Sequence, residues 1–304
     1  MKLPLKLDDP TKRMATRIRT PALVEAFFVI PIVLVIGIII IIPTASGVLH
    51  SFTAWNPGYA SPFAGFSNYV SLIKSVAFRD ILGNQAFLLL GLPIWGFLPL
   101  LFAVLLYENV PGAGVFRSIF FFPSTASPAI IGILFSFLLS AAGPLNTFLH
   151  DFGLGFMAQN WLVSVPYVKP VLIGVLAWAT MGTGIVIFSA ALSAFPPELL
   201  EASVIDGASW VVRFFQIILP NLWDVMQLWI VILVVSVFTA MFPWIFTLTG
   251  GGPGYASTTM DFDIYQNALT YGYFGTAAAE MVYLLIVLGI LLYGVNLLFR
   301  WLRR

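Results

Sequence analysis

Pro196-Pro197-Glu198-Leu199-Leu200-Glu201-Ala202-Ser203-Val204-Ile205-Asp206-Gly207, followed after nine residues by Ile217-Ile218-Leu219-Pro220, is a charged stretch set between two long apolar ones. Proline fixes φ and is tolerated in the first helical turn, so the paired prolines end one segment and open a helix. Glu198 and Glu201 then fall in the first turns, where the positive end of the helix dipole favours carboxylates. Gly207 is placed to end this helix, and Pro220 to break the chain again before the next apolar run. The small pair Ala202 and Ser203 lets another surface approach closely. The stretch reads as a short docking helix.

The whole chain has the composition of a membrane protein. Of its 304 residues 60% are hydrophobic and only 9% are charged, and the mean hydropathy is +0.98, values outside the soluble range. The formal net charge of +1 conceals an asymmetry. Lys2, Lys6, Lys12, Arg13, Arg17 and Arg19 crowd the start, and Arg300, Arg303 and Arg304 close the chain. Basic residues stay on the cytoplasmic side, so both termini are expected there and the number of spans is even. Cysteine is absent, which excludes disulfides, thiol nucleophiles and cysteine metal sites. His50 and His150 are isolated at outer span ends and do not make a metal site.

Six apolar segments near or above the roughly 20 residues needed to cross a bilayer can be drawn, near 24–48, 84–106, 118–140, 168–192, 221–248 and 276–299. The fold expected is all-α, a polytopic membrane protein with six transmembrane helices. The first segment is too long for a signal-peptide core, and His50-Ser51-Phe52-Thr53-Ala54-Trp55 after it lacks a small-x-small cleavage site, so it is read as retained. With this topology Arg117 and Arg213 join the termini inside, giving eleven basic residues inside against Lys74, Arg79 and Lys169 outside.

Pro93, Pro99, Pro123, Pro128 and Pro243 fall within the predicted spans, where each removes a backbone hydrogen bond, and kinked helices around a cavity are one outcome. Packing kinks with no transport role are the plainer one. Trp178, Thr180 and Thr183 on the fourth span lie at the depth of Ser236 and Thr239 on the fifth, and together offer an aromatic face and hydroxyls. Such hydroxyls also commonly bond to their own helix carbonyls. Glu280 is an acid inside the sixth span, expected to snorkel to the interface. Asp224 reads as an interfacial acid at a helix start.

The spacing Glu201-Ala202-Ser203, three residues, Gly207, nine residues, Ile-x-Leu-Pro resembles the cytoplasmic coupling loop of permease subunits of binding-protein-dependent ABC importers, departing only in Ser203 where the pattern prefers Ala. Phe63-Ala64-Gly65-Phe66-Ser67-Asn68-Tyr69, Phe116-Arg117-Ser118, Gly143-Pro144-Leu145-Asn146 and Leu248-Thr249-Gly250-Gly251-Gly252-Pro253 followed by Tyr265 look like the sugar-permease branch. The resemblance covers about residues 22–304 and leaves a basic tail, 1–21, outside it. It implies an ABC importer permease fold, a coupling loop at 196–220, and coupling residues Glu201, Ala202, Ser203, Asp206 and Gly207. It also implies that the fourth and fifth spans line the solute path, with Trp178 at a position where the family often has Trp. Partners implied are a second, homologous permease subunit, two ATP-binding subunits, an extracytoplasmic solute-binding protein and membrane lipid, with no nucleic acid. The solute expected is a neutral sugar or oligosaccharide, with glycerol phosphate or a related phosphorylated polyol as the alternative.

No Gly-Lys pair occurs, so the chain has no Walker A loop. ATP and Mg are therefore expected on a partner ATPase, with no cofactor or catalytic residue on this chain. A secondary transporter would need midplane acids or broken helices at repeat-related positions, and apart from the peripheral Glu280 none is read; a membrane enzyme would need a set such as His-Glu-x-x-His or paired acids, and none is present.

Overall fold

Backbone polar groups in a bilayer must be satisfied within their own segment, so long apolar runs fold as helices. The computed structural model describes residues 22–107 and 112–303. The basic tail at 1–21 and Arg304 lie outside the described residues. Among those described no strand occurs, only an isolated antiparallel bridge between Thr53 and Phe63.

The chain separates into two units, 1–49 and 50–304. The first holds α1, which runs from Ala22–Ile36 through a π-helical turn, Gly37–Ile41, into Ile42–His50. Ile32, Ile39 and Ile42 are exposed around it, the all-round apolar surface of a span.

The second unit holds α2 (Ser67–Lys74), α3 (Val76–Tyr107), α4 (Ala113–Thr125), α5 (Pro128–Leu138), α6 (Pro144–Asp151) and α7 (Val165–Ser193). These are followed by α8 (Pro197–Ile205), α9 (Trp210–Asn221), α10 (Trp223–Thr239), α11 (Phe242–Leu248), α12 (Met260–Tyr265) and α13 (Phe274–Leu302). Val29–His50 within α1, and α3, α7 and α13, are each long and apolar enough to cross a membrane. The pairs α4/α5 and α9/α10 reach that length only together, and are bent by 98° and 73°. This is an all-α polytopic membrane fold with four to six candidate spans.

Two expected spans are thereby corrected. The run at 118–140 is not one rod, because Ser127 accepts the Ile130 N–H (3.3 Å) and Pro128 opens a new helix after it. The run at 221–248 ends at Thr239, and α11 begins where the Phe242 N–H donates to Asp261 Oδ2 (2.6 Å). α3 is interrupted at Leu90 and Gly91, and Pro93 falls in the first turn of its second part, Leu92–Tyr107, as Pro128 and Pro243 fall in first turns, so that no hydrogen bond is lost there; of the five, only Pro99 and Pro123 stand beyond a first turn. The break expected at Pro220 before the next apolar run is present, two residues later. Pro220 sits in the last turn of α9, and the bend follows at Leu222.

The core forms where α7 packs against α3 and α4. Small residues let helix backbones approach. The Trp95 indole donates to the Ile173 carbonyl on α7, and the Trp229 indole on α10 donates to the Trp95 carbonyl, each at 2.9 Å. These bonds satisfy two buried N–H groups and tie α3, α7 and α10 into one body.

Candidate functional site

The docking helix is α8. Pro196 precedes it, Pro197 opens it, and Glu198 lies in its first turn. Its end is fixed by two bonds, Gly207 N–H to Val204 O (3.0 Å) and Ala208 N–H to Ser203 O (2.9 Å). This closure requires a left-handed residue after the last turn, and Gly207 supplies φ +74°. Leu200 packs on the core and Ser203 is only 5% exposed, its hydroxyl donating to Leu200 O (2.6 Å). The expectation that Ser203 meets another surface is therefore corrected: Leu200 and Ser203, three apart, share the inward face. Glu201, Ala202, Asp206 and Gly207 are exposed, beside Val204 and Ile205, the last 85% exposed. Acidic side chains at the start and end of α8 and the apolar Val204 and Ile205 between them are thus exposed.

A second feature lies between α4, α5, α7 and α10, a cavity of about 240 Å³. Thr180, Thr183 and Ser236 line it together with Ser124, Trp229 and Trp244. Trp178 and Thr239 are not among its walls. Two residues along a helix turn the side chain by about 200°, so Trp178 points away from Thr180. It packs edge-on against Phe135, ring centres 5.3 Å apart, and stays 39% exposed. Thr239 is the last residue of α10 and donates to its own Val235 carbonyl (2.9 Å).

Donor and acceptor roles in the cavity are set by the helices themselves. Thr180 donates to Leu176 O and Ser236 to Ile232 O, both at 2.8 Å, and Ser124 to Phe121 O at 2.7 Å. A hydroxyl has one proton and two lone pairs, so each retains acceptor capacity only. No charged side chain lines the cavity.

Glu280 does not snorkel. It is fully buried, and its Oε2 accepts from Asn267 Nδ2 (3.1 Å), which also donates to Asp263 Oδ2 (3.0 Å). The partner lies thirteen residues upstream, where α12 continues into a π-helical turn, Gln266–Thr270. Burial raises the carboxyls of Asp261 and Asp263 above their ordinary value, and Asp261 is partly compensated by the Thr259 hydroxyl and the Phe242 and Phe262 N–H groups. Asp224 stands where expected, in the first turn of α10, and pairs with Arg303 at 2.6 Å.

No protein-family model matches the sequence. Over 268 residues it is 30% identical to the sn-glycerol-3-phosphate transport system permease protein UgpA of Shigella flexneri, covering 86% of this chain and 89% of that protein. The chain belongs to the ABC importer permease family. The permease is also 29% identical over 266 residues to the multiple sugar-binding transport system permease protein MsmF of Streptococcus mutans serotype c, covering 87% and 90%. Its fold matches a chain of a bacterial ABC transporter involved in the import of the acidic polysaccharide alginate, with TM-score 0.79 at 22% identity, over 96% of this chain and 100% of that one.

Sequence reasoning missed Trp229, Trp244 and Ser124 in this permease. Trp229 reads as one more apolar residue of a span until its indole is seen to bond to α3. Ser124 and Trp244 reach the cavity only because both apolar runs are broken, at Ala126 and Ala240.

Proposed function

We propose that this permease carries a neutral mono- or oligosaccharide inward, received from a solute-binding protein and driven by two ATP-binding subunits on the α8 side. A second, homologous permease completes the path. In this reading the bent pairs α4/α5 and α9/α10 each count as one span, which makes six, and both termini are cytoplasmic in the cell membrane. ATP-driven closure of the ATPases moves α8 as a rigid lever, and the spans rock between two access states. Glu201, Ala202, Asp206 and Gly207 are its coupling face, with Ser203 as the internal support of that face.

The observation that carries the choice of solute is that no charged side chain stands among the described walls of the cavity. Thr180, Ser236 and Ser124 have committed their protons to backbone carbonyls. These three present acceptors that sugar hydroxyls can serve and an ionised phosphate cannot, while the Thr183 hydroxyl and the Trp244 indole remain as donors to a sugar oxygen. Trp229 and Trp244, both buried, form an apolar part of its wall. The identity shared with UgpA favours a phosphorylated polyol as the second reading. Against it, no Arg or Lys lines the cavity to hold a phosphate. Uptake by the reconstituted complex of neutral sugars and of phosphorylated polyols decides between them. Neutral sugars are the expected cargo, and transport of the anionic ligands alone contradicts it.

A further inference from the structure

Arg79 on α3 and Lys169 on α7 line a separate cavity of about 440 Å³, with Asp80, Asn84 and residues of the Pro253–Ala256 segment among its walls. Lys169 Nζ donates to Asn84 Oδ1 (3.3 Å) and lies 5.2 Å from the centre of the Phe87 ring. Arg79 donates to the Lys74 carbonyl (3.1 Å). Among the described residues neither cation is within ion-pair distance of a carboxylate, Asp80 included. The wall is built rather than loose, since Asn84 Nδ2 ties the following loop through Tyr255 O (2.5 Å) and Thr258 O (3.0 Å).

This charge is not placed for the solute. No residue lines both cavities. Lys169 and Thr180 are eleven residues apart on α7, roughly 16 Å along the helix axis. Two cations and one acid leave this cavity net positive, so it suits an anion from outside the chain, and a guanidinium fork beside an ammonium fits a carboxylate or a phosphate.

We propose that this cavity receives a carboxylate side chain of the solute-binding protein and so keys its docking. The proposal rests on the transport reading and orientation above, which put the starts of α3 and α7 on the outer face. Charge pairs at a protein interface act on encounter and half-saturation more than on events after docking.

The test titrates ATP hydrolysis of the importer in proteoliposomes with the binding protein that stimulates it, at low and high salt. Lys169→Gln and Arg79→Gln are expected to raise the half-saturating concentration about tenfold at low salt, to flatten its salt dependence, and to leave basal and maximal rates unchanged. Arg79 is exposed, so Arg79→Gln keeps the test open if Lys169→Gln fails to assemble. An unchanged half-saturation overturns the proposal. So does a fall in uptake at saturating binding protein, which makes the cavity a solute site. If the unsubstituted complex shows no stimulation by any binding protein, the transport reading fails first, and is told apart by that behaviour.

Discussion

A methyl group on Gly182 would lie 2.5 Å from the carbonyl oxygen of Phe120, so α4 and α7 meet backbone against backbone, one residue along α7 from the cavity-lining Thr183. Backbone cannot swing aside as a side chain can. Gly182→Ala is expected to force the helices apart at a cost of about 1–3 kcal/mol. Gly174 on the same helix has open space around it, and Gly174→Ala is expected to be neutral or stabilising by up to about 1 kcal/mol. Thermal unfolding of the purified complex checks the pair; equal melting temperatures would contradict the close contact.

The cavity hydroxyls give a second expectation. Ser236→Ala or Thr180→Val removes one acceptor each, worth roughly 0.5–1.5 kcal/mol, or about two- to tenfold in the ratio of sugar uptake to ATP hydrolysis when sugar binding is far from saturation. Trp178→Ala, outside the cavity, is expected to leave this ratio unchanged. Parallel uptake and ATPase assays on the three variants decide it, and an effect confined to Trp178→Ala would move the path elsewhere.

Asn267 is the amide donor shared by two buried acids, Asp263 and Glu280. Asn267→Leu strips both of it and is expected to cost roughly 1–3 kcal/mol or more, whereas Glu280→Gln keeps the shape of the cluster and costs less. Melting temperatures in the reverse order would show that the amide does not hold the cluster.

Topology is accessible because the chain has no cysteine. Ser203 and Ser257 are unsuitable label positions, being buried. Cysteine at Ile205 (85% exposed) is expected to react only from the cytoplasm and at Tyr59 (77% exposed) only from outside. Opposite labelling would invert the orientation.

How much was legible in the sequence depended on how local each cause was. The α8 helix was readable because its start, its first-turn acid and its end are set by Pro197, Glu198 and Gly207 themselves. The break before α5 was also written locally, in Ser127-Pro128, a helix-start pair hidden inside a run that hydropathy joins. The break after Thr239 was not, because the acceptor for Phe242 is Asp261, nineteen residues downstream. Glu280 was misread for the same reason, since nothing near it names Asn267 as its donor. Trp178 shares the depth of Thr180 but not its face, because two residues along a helix turn the side chain by about 200°.

The most direct measurement is of ATP hydrolysis and ATP-driven uptake together in Gly207 variants. A Cβ on Gly207 meets nothing within 4 Å, so only its left-handed backbone limits substitution. Gly207→Asn, which tolerates that backbone, is expected to hydrolyse ATP and move sugar nearly as the unsubstituted complex does. Gly207→Val, for which a left-handed backbone costs about 1–2 kcal/mol, is expected to unseat the end of α8 and lose uptake while the chain still inserts in the membrane. Normal ATP-driven uptake by Gly207→Val, or uptake driven by an ion gradient with no ATPase in the purified complex, would contradict power delivered through α8.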